Sequence, residues 1–239
     1  MFKIALTAGH YKYTSGKRCL KKLDKNETRE WVLNDRIADK VEKLLKSYEG
    51  YSLIRTDDTK GEKAISNTAR ITAANNFKAD VYISIHHNAG INGGSGGGIV
   101  AYTYTKVDSV TKAWQKDLYN ALIKHTGLKG NRSTPLAKSN LQECRETSMP
   151  AVLLELGFMD SKTDVPIILS EDYADKCAKA IVEVIVAKGG LKKKPVELAP
   201  SGKIYRVQCG AFDDKKNAEK LVADLKSDGY NAIIKVEEK

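Results

Sequence analysis

The 239-residue sequence has no uninterrupted apolar run of the roughly 18 residues that a membrane-spanning helix needs. Its first residues, MFKIALTAGH, contain one lysine but no apolar segment followed by a small-residue cleavage site, which is the pattern of a secretory signal peptide. These absences argue against membrane insertion. They lead us to expect synthesis in the cytoplasm without a signal peptide.

Cysteine is scarce and scattered. The four cysteines, Cys19, Cys144, Cys177 and Cys209, show no C-x-x-C spacing. This spacing fits neither a zinc knuckle nor a disulfide framework, so we predict free thiols. Hydrophobic residues make up 41% of the chain and charged residues 29%, which excludes disorder over the whole length and predicts folded domains.

Positive charge is in excess, with 40 Lys+Arg against 30 Asp+Glu and a formal net charge of +10. Such a surface favours acidic partners, among them nucleic acids, anionic membranes and anionic wall polymers. The lysine run at 192–194 lacks the interleaved aromatic residues of a nucleic-acid platform. We therefore expect no nucleic acid partner and retain anionic wall polymers as candidates.

Strand-like and helix-like segments alternate through the first 190 residues. Apolar runs predict strands at 2–8, 51–56, 81–89, 99–105 and 149–158, and apolar residues at helical spacing predict helices from Glu30 to the glycine at 50, and over 64–77, 110–124 and 171–187. Several strands are apolar throughout, which indicates burial on both faces. The pattern predicts an α/β domain, residues 1–190, with a mostly parallel sheet flanked by helices on both faces.

The composition changes after the glycine pair at 189–190. Residues 191–202, LKKKPVELAPSG, contain two prolines and no periodicity, and we predict that they form a linker. Residues 203–239 show a strand–helix–strand pattern, which predicts a small βαβ unit. Since chains shorter than about 40 residues seldom fold alone, we expect this unit to need a partner surface.

Polar side chains stand at the ends of three predicted strands. His10 follows the strand at 2–8. His86 and Asn88 follow 81–85, the apolar part of the strand at 81–89, and Glu155 follows 149–154 within the strand at 149–158, while Glu30 begins the first helix. Reactive groups in open α/β sheets gather at the carboxyl ends of the strands, so these side chains are expected to converge. Two histidines and one of the carboxylates match the ligand count of a catalytic zinc site, and the other carboxylate would serve as general base.

Glu155 and His87 each have a structural alternative to a role in the site. Glu155 lies within the apolar run AVLLELGF, where an unpaired ionised carboxylate is costly to bury, so it needs a proton, a partner or a nearby cation. His87 adjoins His86 and would point to the opposite face of the strand. We therefore leave His87 out of the predicted site.

Four segments of the chain together carry a family pattern. They are TAGH at 7–10, EWVLNDRIA at 30–38, RITAANNFKADVYISIHHNA at 70–89 and RETSMPAVLLELGF at 145–158. In this order they resemble the zinc-dependent N-acetylmuramoyl-L-alanine amidases of the amidase_3 family, over about residues 2–188. The resemblance implies a peptidoglycan hydrolase that cleaves the amide between N-acetylmuramic acid and the L-Ala of the stem peptide, with Zn²⁺ as its cofactor.

The same resemblance assigns roles by position. It implies that His10, Glu30 and His86 bind zinc and that Glu155 is the catalytic carboxylate. Glu27, three residues before Glu30, remains an alternative ligand.

Two further residues are candidates for binding substrate. Arg145 lies shortly before the strand of Glu155 and could pair with a stem-peptide carboxylate, and Asn88 lies just beyond His86. The segment after His10, YKYTSG at 11–16, replaces the glycines that are usual in the family, which affects the expected shape of the groove rather than the metal site.

The carboxyl-terminal segment carries a second resemblance. IYRVQCGAF at 204–212 followed by AEKLVADLKSDGY at 218–230 is similar to the SPOR peptidoglycan-binding domain, of which about half is present. The family fold is one four-stranded sheet with helices on one face. We therefore expect two chains to pair their tails in a homodimer, and the alternative is a tail docked on its own catalytic domain.

Other functions remain open from the sequence. They are a zinc peptidase that cuts within the stem peptide, a non-catalytic cell-wall-binding protein and a nucleic-acid binder driven by charge. Both a phage endolysin and a sporulation-type autolysin fit the amidase interpretation. In either setting we expect the protein to act at the bacterial cell wall after lysis or release by a non-standard route.

Overall fold

The computed structural model describes residues 1–195 and 206–237. The chain divides into two compact units, Met1–Lys194 and Pro195–Lys239. In the first unit, a six-stranded sheet contains β1 (Phe2–Ala8), β3 (Tyr51–Arg55), β4 (Val81–Asn88), β5 (Ile99–Thr103), β6 (Leu136–Lys138) and β7 (Ala151–Phe158). In the described part of the chain, no helix is both long and apolar enough to cross a bilayer.

The strands of this sheet lie in the order β3-β1-β4-β7-β5-β6. The first four run parallel to one another, β5 runs antiparallel to β7, and β6 is parallel to β5. The sheet is therefore mostly parallel, as predicted, with two reversed strands at one edge. The short strand β6 and its reversed direction were not predicted.

Helices cover both faces of the sheet. The helices of the first unit are α1 (Glu30–Leu45), α2 (Asn67–Phe77), α3 (Ser109–Thr126), α4 (Gln142–Arg145), α5 (Val165–Ile168) and α6 (Glu171–Gly189). The larger apolar cluster joins α1, α3 and α6 to one face, through strand residues such as Ile4 and Ile83. A smaller cluster joins α2 and α4 to the other face through Ala5 and Tyr82. Successive strand residues therefore enter opposite clusters, as the alternation of side chains in a strand requires.

Local sequence signals set the helix ends. The side chains of Ser66, Asp108 and Ser170 accept hydrogen bonds from backbone N–H groups in the first turns of α2, α3 and α6. Such N-caps satisfy donors that the helix itself leaves unpaired. Gly127 ends α3 in the left-handed conformation that favours glycine.

The first unit continues past residue 190. Leu191 is buried, and β8 (Lys192–Lys193) pairs antiparallel with β2 (Tyr48–Glu49). The first residues of the predicted linker therefore belong to the first unit, because a backbone pairing outweighs their polar composition. Residues 196–202 of that linker lie outside the described part of the chain.

The second unit contains one helix in its described residues, α7 (Lys215–Ser227), where the sequence predicts it. The predicted strands on either side are not formed within residues 206–214 and 228–237. Of the βαβ prediction, only the helix is therefore observed in the single chain. The physical reason is that a strand needs a hydrogen-bonded neighbour, and 37 residues supply too few strands for a stable sheet.

Candidate metal centre

The carboxyl ends of three adjacent parallel strands bring the predicted site residues together. His10 follows β1 by two residues, His86 lies near the end of β4, and Glu155 lies in β7 directly opposite His86 in the strand register. Because β1, β4 and β7 are neighbours, their ends meet at one edge. Residues far apart in sequence thus form one cluster.

Glu30, the first residue of α1, lies between the two histidines. Its Oε1 is 3.1 Å from His86 Nδ1 and its Oε2 is 3.3 Å from His10 Nε2. Ligand atoms at zinc bond lengths of about 2.0–2.1 Å in a tetrahedron lie roughly 3.4 Å apart. The two separations therefore suit three donors that share one ion.

The chemistry of the cluster also fits a metal. His10, Glu30 and His86 each offer a ligand atom, and these atoms all lie within 4.8 Å of one another. Two imidazoles and one carboxylate are a donor set that Zn²⁺ accepts. Buried Glu30 Oε2 and Glu155 Oε2 have no hydrogen-bond partner, which a nearby cation would relieve.

A small residue makes room for the ring of His86. A Cβ atom added at Gly9 would lie 2.1 Å from His86 Cε1 and 2.4 Å from each ring nitrogen. The face of the imidazole therefore packs against the backbone of Gly9, directly after the end of β1. Side-chain bulk at position 9 is incompatible with this placement of a candidate ligand.

Buried polar side chains hold the segment that carries His10. Arg70 donates hydrogen bonds to the carbonyls of Ala8 and His10, at 2.6 and 2.8 Å. Asn34 donates to the carbonyl of Gly9 at 3.1 Å. These bonds fix His10 in a left-handed backbone conformation, φ 67°, which non-glycine residues seldom adopt without support.

His87 faces the other side of β4, as predicted. It is buried, and its Nδ1 lies 2.8 Å from Asn34 Oδ1. Burial lowers the pKa of His87 to about 3, so the ring is neutral. It is a packing residue in this structure, joined through Asn34 to the backbone beside His10.

The ionisation of the cluster follows from burial and charge. Burial opposes ionisation of Glu30, but the two histidines outweigh it and hold the pKa of Glu30 well below its usual range. Burial likewise opposes protonation of His86, yet Glu143 and Glu30 raise its pKa to about 10. Carboxylate charge thus concentrates around His86, where a divalent cation would be stabilised.

Glu155 has the opposite shift. Burial raises the pKa of Glu155 to about 7, and the charge of Glu30 adds to this, while His86 and Lys17 act against it. Its Oε2 accepts no hydrogen bond. Glu155 is therefore a half-buried carboxyl beside the His–Glu–His cluster, held by no protein donor at that oxygen.

One carboxylate at this site was not predicted from the sequence. Glu143 on α4 is 5% exposed, and its Oε2 lies 3.8 Å from His86 Nε2. It lies in a segment without hydrophobic periodicity, where no strand or helix was predicted. A buried position for Glu143 could be found only from the packing of α4 on the sheet.

A cavity of about 240 Å³ opens beside the cluster. His10, His86 and Glu143 line it, together with Tyr11, Thr14, Asn67 and Arg70. The departure from the family pattern after His10 thus lies at the wall of this cavity. A substrate group bound there would reach the histidines directly.

Three predicted candidates lie apart from this cavity. Asn88 accepts a hydrogen bond from the backbone of Ala89. Arg145 donates to Asn140 and Glu146, at 2.6 and 2.5 Å. Glu27, the alternative ligand, is paired with Arg18 at 3.0 Å, whereas Glu30 lies between both histidines. None of the three lines the cavity or joins the His10–Glu30–His86 cluster.

A mostly parallel sheet flanked by helices carries a cluster of candidate metal ligands and an unpaired carboxyl at the C-terminal ends of its strands. This arrangement is typical of metal-dependent hydrolases. Comparison with known proteins identifies the family within that class. The family described as N-acetylmuramoyl-L-alanine amidase, Amidase_3, matches residues 4–187, and the SPOR domain matches residues 201–239. The chain belongs to the Amidase_3 family of N-acetylmuramoyl-L-alanine amidases, which confirms the resemblance found in the sequence.

Individual relatives agree. The chain is 32% identical over 193 residues to a sporulation-specific N-acetylmuramoyl-L-alanine amidase of Bacillus subtilis, covering 80% of this chain and 69% of the relative. It is 31% identical to the amidase CwlM of Bacillus licheniformis, covering 80% and 70%. The solved catalytic domain of the amidase CwlV from Bacillus (Paenibacillus) polymyxa has a TM-score of 0.68 and 27% identity, covering 80% of this chain and 100% of that domain.

Proposed function

We propose that the chain hydrolyses the amide between the lactyl group of N-acetylmuramic acid and the L-Ala of the stem peptide, with a zinc ion as cofactor. The family membership supports the amidase reaction. The observation that carries the zinc mechanism is the convergence of His10, Glu30 and His86 beside Glu155. Such a cluster supplies three ligands and one carboxyl outside the ligand set.

His10 Nε2, His86 Nδ1 and the carboxylate of Glu30 would hold the ion. When bound, zinc would lower the pKa of a water molecule and polarise the scissile carbonyl. Arg70 and Asn34 contribute by holding the backbone of residues 8–10. His10, one of the proposed ligands, would thus be held in position before substrate arrives, which lowers the cost of organising the site.

Glu155 would move the protons. Its free carboxyl lies opposite His86 in the register of β4 and β7, on the strand next to the one that carries this proposed ligand. In the ionised form it takes a proton from the attacking water. It then gives that proton to the nitrogen of L-Ala, so that the amine departs as the C–N bond breaks.

Two substitutions distinguish the proposed zinc ligand His86 from the proposed general base Glu155. We expect Glu155→Gln to keep zinc and lose most hydrolysis, and His86→Ala to lose both. Metal content is measured by mass spectrometry and hydrolysis by analysis of digested peptidoglycan. His125→Ala is the matched control, since His125 pairs with Glu183 on the helical layer, and should change neither. Equal zinc in the two site variants would contradict the assigned roles.

Product chemistry tests the substrate. Release of a free L-Ala amine together with an intact muramic acid carboxylate is expected. Fragments cut within the stem peptide would instead indicate the alternative, a zinc peptidase. Zinc-free protein without any loss of wall turbidity would indicate a wall-binding protein that is not catalytic.

We further propose secondary roles for Asn88 and Arg145 in holding the stem peptide. Both lie on elements next to the cluster, at the end of β4 and on α4. Arg145 would exchange its pairing with Glu146 for a substrate carboxylate. Arg145→Gln should then raise KM without lowering kcat, and an unchanged KM would remove Arg145 from the substrate site.

The segment 11–29 supports a role for anionic wall polymers as partners. It carries seven Lys or Arg and two Asp or Glu residues, and Lys17 Nζ lies 3.6 Å from Glu30 Oε2. The segment therefore carries +5 of the formal net charge of +10, and Lys17 brings one positive charge next to the candidate metal centre. Binding to walls that contain phosphate polymers should weaken with salt, and walls stripped of those polymers should bind less.

The second unit supports a proposal of tail-to-tail pairing. We propose residues 203–239 as a wall-binding unit joined to the catalytic domain by the predicted linker at 191–202, of which residues 191–194 belong to the first compact unit. In the described tail, Val207, Tyr230 and Ile233 are 86%, 65% and 82% exposed, and no residue of α7 is buried. A second copy of the tail would supply the strands and apolar surface that one copy lacks.

Oligomeric state tests this pairing. We expect the full chain to be a dimer by light scattering at micromolar concentration, and residues 1–194, a compact unit with its own core, to be monomeric. Leu221→Lys on α7 should also give a monomer, with Lys220→Ala as the neighbouring control. A strictly monomeric full chain would refute the pairing and favour the alternative, a tail docked on its own catalytic domain.

A further inference from the structure

Glu143 is a buried carboxylate that the proposed reaction does not use. It lies on the four-residue helix α4, outside the four segments that carry the family resemblance, and it is 5% exposed. A buried carboxylate needs partners, and those of Glu143 identify its role.

One strand supplies both partners. Tyr82 and His86 are four residues apart on β4, so they point to the same face of the sheet. The fully buried Tyr82 hydroxyl donates to Glu143 Oε1. This bond holds one carboxylate oxygen, and the other, Oε2, lies 3.8 Å from His86 Nε2.

The two nitrogens of His86 have different surroundings. Nδ1 lies 3.1 Å from Glu30, on the side of the ligand cluster. Nε2 is buried and has no hydrogen-bond partner, and the carboxylate that faces it is that of Glu143. If Nδ1 binds the ion, the ring must carry its proton on Nε2.

We propose that Glu143 is a positioning residue for His86: its carboxylate accepts a hydrogen bond from the Nε2–H of the imidazole and thereby holds Nδ1 towards the metal. The inference rests on the proposed zinc site. A carboxylate behind a metal-binding histidine fixes its tautomer and orientation and raises its basicity as a ligand. Glu143 thus strengthens metal binding without contacting the ion.

Zinc affinity tests this role independently of hydrolysis. Dissociation constants are measured by competition with a chromophoric chelator for the wild-type chain, Glu143→Gln and Tyr82→Phe. We expect Glu143→Gln to weaken zinc binding 10- to 100-fold, as loss of such a partner does. Tyr82→Phe, which keeps Glu143 but removes its fixed donor, should weaken binding less.

Glu146→Gln is the matched control. Glu146 is on the same turn but pairs with Arg145 and Gln142. The Glu146→Gln protein should therefore bind zinc with the affinity of the wild type. An unchanged zinc affinity in Glu143→Gln would overturn the inference. A wild-type chain that binds no zinc would instead overturn the proposed metal site itself.

Nitrogen NMR of the unmutated, zinc-loaded chain provides a second measurement. Long-range ¹H–¹⁵N spectra distinguish a metal-bound from a protonated ring nitrogen. We expect His86 to show a protonated Nε2 and a metal-bound Nδ1. A metal-bound Nε2 would refute the role of Glu143, whether or not the variants fold.

Discussion

Substitution of Gly9 by alanine is the sharpest perturbation that the structure suggests. Gly9 lies between β1 and His10, and it does not have a left-handed backbone, so alanine is conformationally allowed there. The new Cβ would nevertheless lie 2.1 Å from His86 Cε1. The effect of Gly9→Ala should therefore come from steric overlap with one candidate ligand.

The size of the effect follows from this distance. Ordinary van der Waals contact of a Cβ begins at 3.4 Å, so the ring or the backbone must move by about 1.3 Å. Metal ligands have to be held within about 0.5 Å of their productive positions. We therefore expect zinc affinity to fall at least 100-fold, which corresponds to about 2.7 kcal/mol.

Chelator competition measures the zinc affinity, and circular dichroism melting reports whether the fold is retained. Gly94→Ala is the control, because its Cβ would meet only Ile91, at 3.2 Å from the carbonyl oxygen, and it lies in a loop. Its zinc affinity should be that of the wild type. A Gly9→Ala protein that is folded and binds zinc with wild-type affinity would refute the placement of His86 as a ligand.

Three further outcomes are expected. Asn34→Ala should lower the free energy of unfolding by about 1–3 kcal/mol in urea denaturation, since it leaves the Gly9 carbonyl and His87 without their buried partner; an unchanged stability would contradict that. Burial of Asp24 opposes ionisation of its carboxyl, but hydrogen bonds from Thr28 and Asn26 outweigh burial and lower its pKa. The ionised carboxylate therefore stabilises the folded state above a pH of about 3.9, the pKa in the unfolded chain, and this stabilisation is lost as the pH falls below that value. The stability difference between wild type and Asp24→Asn should accordingly shrink from pH 5 to pH 3, and a constant difference would argue against this coupling. Removal of zinc by chelation should lower the melting temperature of the wild type, because a ligand at 100 times its Kd adds about 2.7 kcal/mol, whereas a His86→Ala variant that responded equally would show that the ion binds elsewhere.

Much of the fold could be predicted from the sequence, and the particular elements show why. β1, β4 and β7 are short apolar runs bounded by polar residues, and α1 and α6 carry strong helical periodicity. Their boundaries agree within a few residues with the predicted ones. Elements that lack such a pattern, β6 and α4, were not predicted, because their conformation depends on the sheet they contact.

The tail illustrates the limit of local patterns. Residues 203–212 and 230–239 alternate as strands do, but a strand is stable only when its backbone groups are paired with a neighbour. The described residues on either side of α7 have no such neighbour in the single chain. Periodicity therefore identified segments able to form strands, but it did not predict their conformation in the single chain.

The sequence by itself determined the strands β1, β3, β4, β5 and β7, the principal helices, the polar residues His10, His86 and Glu155, and two candidates for the remaining carboxylate, because periodicity and family motifs are local properties. Only the tertiary structure decided that Glu30, not Glu27, lies between the histidines, and that Glu143 lies behind His86. The positions of Glu30 and Glu143 depend on where α1 and α4 lie relative to the ends of the strands. Distances across strands arise from packing, and no pattern along the chain encodes them.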